Sequence, residues 1–137
     1  VSSKKRLLQV VGELANSVYG LDVSETVSAL QERETLGPTG VGHGVALPHA
    51  RSKTMEHVVG TFILLEKPVD FGAVDNQPVD LVFSLFAPEA AGVDHLKALA
   101  LVSRTLRDSS FCAKLRSNQD SATLYTILTA SQNTAAA

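Results

Sequence analysis

Cysteine is almost absent from this 137-residue chain. The single cysteine, Cys112, excludes an internal disulfide and is typical of a protein from a reducing compartment. Because it lies between Phe111 and Ala113, we expect a small buried apolar residue rather than a reactive thiol. The chain therefore has to be stabilised by a hydrophobic core, and its length is sufficient for one compact domain.

Long apolar runs and a strong charge excess are also missing. No run approaches the roughly 20 apolar residues of a membrane-spanning helix, and no cleavable leader precedes the first helix. The net charge is −2 and the longest basic block is Lys4-Lys5-Arg6, which argues against nucleic-acid binding. We therefore expect a cytoplasmic protein with no membrane span and no nucleic-acid partner. Since the chain starts at Val1, we expect residues 1–137 to be one domain that lacks an N-terminal segment.

The usual signatures of nucleotide and zinc sites are absent as well. The glycine-rich turn of residues 37–44 lacks the lysine and hydroxyl residue that end a P-loop, and a strand is predicted after it where a dinucleotide fingerprint has a helix. Four side chains could in principle bind a metal: His43, His49, His57 and Asp94. Their spacing matches no common zinc pattern, and no cysteine pair supports them. We expect neither a metal nor another cofactor.

The apolar periodicity predicts helices towards both ends of the chain. An amphipathic helix over Lys4–Tyr19 should end at Gly20, and a second helix, capped by Asp22, should stop before Gly37. After Pro88 the pattern is helical again. The predicted apolar face there consists of Leu96, Leu99, Ala100, Ser103 and Leu106, with Leu101, Val102 and Thr105 beside it. A helical turn over Phe111–Leu115 and a last helix over Ser121–Leu128 follow.

The middle of the chain predicts strands. A short strand, Val45–Leu47, should carry His49 at its end. Val58–Leu65 and Val79–Ala87 are nearly continuous apolar runs, which are typical of strands buried on both faces. Lys67–Pro78 is expected to be a loop with at most a short edge strand. The predicted fold is a single α/β domain with a small mixed sheet flanked by helices on both faces.

His49 is the main candidate for chemistry. Phosphoryl transfer to an imidazole needs a neutral ring with a free nitrogen, an in-line approach and compensation of the developing charge. The backbone N–H groups of Gly42 and Gly44 could hold phosphate oxygens, and the Arg51 guanidinium could balance their charge. Alternatively, the glycines only form a tight turn and Arg51 is a solvated loop charge.

Three further residues have a functional and an ordinary interpretation. His95 lies in the first turn of the third predicted helix, where an anion is favoured and a protonated histidine is not, but it could equally be an exposed residue. Arg33 could act at a site or simply stabilise the C-terminal end of its helix. His43 lies between glycines and could adopt a positive φ, near or away from the site. His57 is expected to be an ordinary surface residue.

Taken together, three segments resemble the enzyme IIA domains of the bacterial phosphotransferase system, fructose/mannitol class, and most closely their nitrogen-regulatory branch. The segments are Glu32-Arg33-Glu34, the glycine-rich turn that leads to Pro48-His49, and Asp94-His95-Leu96. Their order and separations are similar to those of the family, and the resemblance covers nearly the whole chain. The stretch from Pro78 to Leu85, with the following Pro88-Glu89, is more similar to the nitrogen branch than to the sugar branches.

The resemblance implies a role for each matching residue. His49 matches the histidine that takes a phosphoryl group on Nε2, and His95 matches the second active-site histidine, which stabilises that group. Arg33 matches the arginine that approaches the phosphate. Arg51 is a weaker match, because relatives often have lysine or another residue at this position.

The resemblance also implies partners. Phosphate would pass from phosphoenolpyruvate through an enzyme I and an HPr-like carrier to His49. A nitrogen-branch protein would then regulate targets such as potassium transporter subunits or sensor kinases, whereas a sugar-branch protein would pass the phosphate to a IIB domain. The absence of a IIB domain from the chain favours the regulatory branch. A binding module that is never phosphorylated is a third possibility, and the complete set of His49, His95 and Arg33 argues against it.

Overall fold

The computed structural model describes residues 3–53, 55–89 and 92–117. Within these ranges the chain forms helices at both ends and strands between them. In chain order the elements are α1 (Lys4–Tyr19), α2 (Val23–Thr35), β1 (Gly40–Gly42), β2 (Val45–Ala46), β3 (His49–Ser52), β4 (Val59–Val69), β5 (Val79–Pro88), α3 (Gly92–Leu106) and α4 (Ser109–Arg116).

β5 is the centre of the sheet. β4 pairs with one of its edges in antiparallel orientation, and β2 and β3 pair with the other edge in parallel orientation. Val45 is opposite Leu81 and His49 is opposite Leu85, so β2 and β3 follow one line along β5 with the same register. β1 completes the sheet by antiparallel pairing with β2. The prediction of a small mixed sheet is confirmed.

The two faces of β5 are buried against different helices. Successive side chains of a strand point to opposite faces, and this alternation divides the core. Val82 and Phe86 pack in the cluster that includes the buried residues of α1 and α2, such as Leu7 and Leu30. On the other face, Leu81, Phe83 and Leu85 pack with residues of α3 and α4, namely Val102, Leu106, Cys112 and Leu115. Helices therefore cover both faces of the sheet, as predicted.

The first two helices have the bounds that their capping residues predict. Gly20 follows α1 with a φ of 74°, a left-handed conformation that glycine adopts without strain. Its N–H donates to the carbonyl of Asn16, which ends the helix. The Asp22 carboxylate accepts a hydrogen bond from the N–H of Glu25 at 2.8 Å and starts α2. α2 ends at Thr35, before Gly37.

The predicted apolar face of α3 is wrong at Leu96 and Ala100, which are exposed, and is confirmed at Leu99 and Leu106, which pack in the core. Leu96 is 66% exposed, whereas His95, Val102 and Leu106 are buried. These buried positions follow a helical stripe that starts one residue earlier than the predicted one. The stripe begins with a polar ring, so a pattern of apolar residues alone could not reveal it. The rotation of the helix turns His95 towards the sheet.

The strands differ from the prediction at their ends. β4 continues through Pro68 to Val69, with an irregular register between Leu64 and Val69. A proline is tolerated at such an irregularity because no ladder hydrogen bond from its nitrogen is needed. β4 is also not buried on both faces, since most of its residues are partly or fully exposed. His49 begins a separate strand, β3, rather than following the end of β2.

The C-terminal part of the described chain is helical, as predicted. The helical turn over Phe111–Leu115 belongs to α4, which begins after Asp108. Cys112 is buried and its thiol donates to the carbonyl of Leu106 at 3.1 Å. Burial raises the pKa of this thiol, as expected for an unreactive cysteine. The predicted helix over residues 121–128 lies outside the described residues.

Candidate functional site

His49 is half-buried at the start of β3, opposite Leu85. Its Nδ1 lies 2.8 Å from the carbonyl oxygen of Leu47, two residues earlier in the chain. A carbonyl oxygen can only accept a hydrogen bond, so Nδ1 carries the hydrogen and donates it. In the neutral ring the lone pair is then on Nε2. The local backbone therefore selects the tautomer whose Nε2 is nucleophilic.

Arg33 reaches this nitrogen from the last turn of α2. Its Nε donates to Nε2 of His49 at 3.1 Å, and its Nη1 donates to the carbonyl of Gly37 at 3.0 Å. The first bond agrees with a lone pair on Nε2. The second bond ties the guanidinium to the loop after α2, so that its cationic fork remains beside the imidazole.

His95 approaches His49 from the opposite layer of the fold. The two ring centroids are 5.6 Å apart, with an angle of 76° between the ring planes. His95 is only 5% exposed, and its Nε2 has no hydrogen-bond partner among the described residues. A buried polar atom without a partner costs free energy and is uncommon outside functional sites. The first turn of α3 additionally favours an anion at this place.

The electrostatics keep both imidazole rings neutral. Burial lowers the pKa of His49, and the Arg33 guanidinium lowers it further, while the Leu47 carbonyl and the Glu34 carboxylate act in the opposite direction. Burial also lowers the pKa of His95, with additional contributions from His49 and Arg51. At neutral pH the site therefore has one neutral ring with a free lone pair and a second neutral ring beside it.

Arg51 lies on the rim of this arrangement. It is two residues after His49 in β3, on the same side of the strand, and its side chain is exposed. Its Nη1 donates to the carbonyl of Glu89 at 2.8 Å. Its positive charge acts on the pKa of His95, but the hydrogen bonds of the site do not include it. The geometry leaves Arg51 available to an approaching molecule.

The glycine-rich turn is the two-residue hairpin connection between β1 and β2. Its central residues, His43 and Gly44, have positive φ values of 56° and 78°, as a type I′ turn requires, and Gly42 before them has a φ of 103°. The N–H of His43 donates to the Asp75 carboxylate at 2.9 Å, and this bond is the main cause that lowers the pKa of Asp75. The expectation that His43 adopts a positive φ is confirmed. The anion held by the turn is a carboxylate of the protein itself.

Gly42 and Gly44 consequently do not belong to the site around His49, which corrects the sequence-based assignment. The carbonyl of Gly44 accepts from the N–H of Leu81, whereas His49 is opposite Leu85. Leu81 and Leu85 are four residues apart along β5, which corresponds to about 13 Å at ~3.3 Å per residue. A pattern of glycines reveals that backbone N–H groups are exposed, but it does not reveal which anion they meet.

Gly44 instead belongs to a contact with α4. A Cβ atom at Gly44 would lie 2.6 Å from Nη2 of Arg116 and 2.9 Å from Oδ1 of Asp80. Arg116 forms an ion pair with Asp80 at 2.9 Å and donates to the carbonyl of His43 at 2.7 Å. His43 is exposed in this turn, and His57 is exposed before β4.

Within residues 3–53, 55–89 and 92–117, no cluster of three or more His, Cys, Asp or Glu side chains has the proximity that a metal site requires. In the same ranges, no helix has the length and apolar character needed to cross a membrane.

Two contributors to the site had no signal in the sequence. Leu47 acts through its backbone carbonyl, which no side-chain pattern can reveal. Glu34 was noted only as a neighbour of Arg33. Its carboxylate pairs with Lys4 at 2.8 Å and accepts from the N–H of Thr39 at 3.2 Å and from the Thr39 hydroxyl. Lys4 is distant enough from Glu34 in sequence that only the folded chain shows this ion pair.

Comparison with known proteins gives the family. The family model described as "Phosphoenolpyruvate-dependent sugar phosphotransferase system, EIIA 2" matches residues 1–131. A nitrogen regulatory protein of Bradyrhizobium diazoefficiens is 46% identical over 136 residues, which are 99% of this chain and 89% of that protein. The crystal structure of the nitrogen regulatory protein IIA-Ntr from Neisseria meningitidis matches with a TM-score of 0.87 and 36% identity, over 93% of this chain and 88% of that one.

The structure of IIA mannitol from Escherichia coli has the same fold, with a TM-score of 0.77 and 23% identity over 93% of this chain and 90% of that one. A mixed sheet between two helical layers is thus the fold that this chain shares with phosphotransferase-system IIA proteins. The chain belongs to this family of phosphoryl carriers. Its similarity to proteins named nitrogen regulatory protein covers nearly its full length.

We expect Gly44→Ala to destabilise the protein more than Gly72→Ala. Both positions have a positive φ, but a Cβ at Gly72 meets nothing within 4 Å. Gly72→Ala should therefore cost only about 1–2 kcal/mol of conformational strain. Gly44→Ala should cost about 1–2 kcal/mol more, because Arg116 has to leave Asp80 and the carbonyl of His43. Urea unfolding measures both, and equal losses would contradict the proposed contact with α4.

The two histidines should respond to different arginines. By NMR titration, His49 and His95 should both have a pKa below the ordinary 6.5. Arg33→Gln should raise the pKa of His49, because a neighbouring cation is removed. Arg51→Gln should raise the pKa of His95 and leave that of His49 unchanged. Since the folded-state values lie below the unfolded ones, stability should decrease as the pH falls below 6.5. If Arg33→Gln instead raised the pKa of His95 and Arg51→Gln raised that of His49, the result would contradict this geometry.

Proposed function

We propose that this chain is a cytoplasmic phosphohistidine carrier of the nitrogen-related phosphotransferase system. It accepts a phosphoryl group from an HPr-like carrier on Nε2 of His49 and regulates target proteins through its phosphorylation state. The observation that supports this most directly is the bond from Nδ1 to the Leu47 carbonyl. That bond leaves the lone pair on Nε2, the atom that Arg33 contacts.

The transfer needs no external co-reactant. The Nε2 lone pair attacks phosphorus and forms the new N–P bond, while the bond between phosphorus and the carrier breaks and its electron pair returns to the carrier. Nδ1 keeps its hydrogen, and the Leu47 carbonyl stabilises the charge that the phosphorylated ring acquires. The protein contributes position and electrostatic stabilisation, which is the usual division of work in phosphoryl transfer.

Arg33 has to exchange its partner in this reaction. In the unmodified protein its Nε–H occupies the lone pair that attacks phosphorus. When the phosphoryl group arrives, the same donor turns to the phosphoryl oxygens, while Nη1 remains bonded to the Gly37 carbonyl. A planar guanidinium can form such bonds with two phosphate oxygens at once. Arg33 is thus proposed to stabilise both states of His49.

His95 is proposed to stabilise the phosphoryl group from the other side. Its buried Nε2 has no partner among the described residues and can donate to a phosphoryl oxygen in the tautomer that carries hydrogen on this atom. The N-terminal end of α3 adds a favourable dipole. Arg51 at the rim, which already acts on His95, is proposed to add positive charge for the incoming group.

The regulatory branch is favoured by the relatives. A nitrogen regulatory protein is 46% identical to the chain, whereas the mannitol-specific structure is 23% identical. Regulatory targets such as potassium transporter subunits or sensor kinases are therefore proposed as partners. The alternative is a sugar-specific IIA protein that passes its phosphate to a IIB domain, and it is supported by the shared fold with IIA mannitol.

Phosphorylation of His49 can be tested directly. Incubation with phosphoenolpyruvate, enzyme I and the HPr-like carrier should add one phosphate that is labile in acid and stable in alkali, as a phosphoramidate is. Mass spectrometry and 31P NMR should locate it on Nε2 of His49. His49→Ala should take up none, while His57→Ala, an exposed histidine outside the site, should behave like the wild type. Labelling of His49→Ala to the wild-type extent would refute the proposal.

Experiments with the phosphorylated protein also distinguish the regulatory function from the sugar-specific alternative. A regulatory protein should keep its phosphate when a fructose- or mannitol-type IIB domain is added. It should also retain target proteins differently in its phosphorylated and unphosphorylated forms, with coupling of about 1–3 kcal/mol. Rapid transfer to the IIB domain, with no target that distinguishes the two forms, would establish the sugar-specific alternative instead.

His95→Ala should slow the transfer to His49 by about 100-fold, because one preorganised donor to a developing charge is worth around 3 kcal/mol. His95→Gln keeps an N–H donor near the position of Nε2 and should lose less. Rapid-quench measurement of phosphate transfer from the carrier provides both rates. Equal losses in the two variants would mean that His95 acts through packing and not through its hydrogen bond.

A further inference from the structure

An ion pair with a buried carboxylate and a partly exposed ammonium lies next to the candidate site in the sequence and links three segments of the chain. The Glu34 side chain is 6% exposed, and its carboxylate lies 2.8 Å from Nζ of Lys4 at the start of α1. The backbone N–H and the hydroxyl of Thr39 donate to the same carboxylate. The Lys4 ammonium also lies 4.5 Å from the centroid of the Phe71 ring. The cluster of Lys4, Glu34 and Thr39 therefore joins α1, the end of α2 and the start of β1.

A packing function alone does not require a charge in this place. Removing a carboxylate from water is costly, and a buried ion pair often stabilises a protein no more than apolar residues of the same size. Burial of the Glu34 carboxylate thus costs free energy. This carboxylate lies beside Arg33, whose guanidinium contacts Nε2 of His49. Glu34 directly follows Arg33 in the chain, so its charge lies near the imidazole, and it makes the smallest of the contributions to the pKa of His49, an upward one.

This negative charge has opposite effects on the two states of His49. In the unmodified protein it favours positive charge on the ring. In the phosphorylated protein it repels the phosphoryl group, which carries nearly two negative charges at neutral pH. Lys4 offsets the repulsion in part, since its ammonium is 29% exposed and is screened by solvent more than Glu34 is.

We propose that the Lys4–Glu34 pair sets the phosphoryl-transfer potential of His49, an inference that rests on the proposed function. Arg33 and His95 stabilise the phosphoryl group, and a site with these groups alone would hold it tightly. A carrier has to release the group again. The carboxylate of Glu34 weakens the hold, and Lys4 limits how far it is weakened. Both are positioning residues that act through charge and do not touch the phosphoryl group.

The test is a charge cycle of four proteins: wild type, Glu34→Gln, Lys4→Met and the double variant. Gln keeps an acceptor and a donor for Thr39, and Met keeps the apolar stem over Phe71. Each single variant removes one charge of the pair, and the double variant removes both. Glu32→Gln and Lys5→Met are matched controls, because they remove the same charges from exposed positions next to the pair in sequence.

The first measurement is the equilibrium of phosphate between the carrier and His49, followed by 31P NMR. Glu34→Gln should shift it towards phosphorylated His49 by about three- to tenfold, as expected for one charge at this range in a partly buried site. Lys4→Met should shift it towards the carrier by a smaller factor. The double variant should lie between the two, and both controls should match the wild type.

The second measurement is the NMR titration of His49 in the unphosphorylated proteins, which does not depend on phosphorylation. Glu34→Gln should lower the pKa of His49, and Lys4→Met should raise it. A purely structural role would shift both single variants in the same direction or leave the pKa unchanged, and either result would overturn the inference. If Lys4→Met does not fold, Lys4→Gln takes its place, and Glu34→Gln alone still has to lower the pKa.

The failure of this inference differs from the failure of the proposed function. If wild-type His49 accepts no phosphate, the proposed function is wrong and the inference about transfer potential falls with it. If wild-type His49 is phosphorylated and the equilibrium is the same in all four proteins, only the inference is wrong.

Discussion

The chemistry proposed for this protein depends on one hydrogen bond, from Nδ1 of His49 to the carbonyl of Leu47. The carbonyl is available because of the way the strands are paired. The carbonyls of Gly44 and Pro48 accept from β5, whereas the N–H of Leu47 donates to Thr39 on the other side. The carbonyl of Leu47 faces that same outer side, and β1 pairs only as far as Ala46. The bond therefore uses an acceptor that the sheet leaves free.

The position of the break between β2 and β3 follows from this arrangement. Pro48 has no N–H to donate, and because its carbonyl faces β5, the missing donor interrupts the ladder between this segment and β5. Its carbonyl nevertheless pairs with the N–H of Leu85, which keeps the register with β5 unchanged. His49 is thus fixed by the sheet on one side and turned by its ring bond on the other. The free nitrogen points to a place that residues of α2 and α3 reach from different layers of the fold.

Local signals in the sequence were sufficient for the elements whose ends are determined locally. Gly20 and Asp22 act within a few residues, so the bounds of α1 and α2 could be predicted. The rotation of α3 could not, because its buried stripe begins with the polar His95. The extension of β4 through Pro68 was missed for a similar reason, since the effect of the proline depends on the register with β5.

The residues of the candidate site likewise fall into those that the sequence could indicate and those that it could not. The histidines and Arg33 could be selected because their side-chain chemistry suits a phosphoryl group and their spacing resembles a known family. Their convergence depends on tertiary contacts that no periodicity contains. The glycine-rich turn shows the opposite error: a phosphate was expected there, but the carboxylate that this turn binds, through the N–H of His43, is Asp75, 32 residues away. Leu47 and Glu34 could not be identified, because one acts through its backbone and the other through a distant partner.

These contacts also limit what phosphorylation can change. In the proposed transfer, Arg33 keeps its bond to the Gly37 carbonyl while its Nε changes partner, so a rotation of the guanidinium is sufficient for the exchange. The backbone on either side of His49 is fixed by pairing with β5, and the turn around His43 is fixed by Asp75 and Arg116. Under the proposed function, the main change at the site is then the addition of nearly two negative charges to His49. A partner that distinguishes the two states is proposed to recognise this charge directly, with cations for one state or an apolar surface for the other.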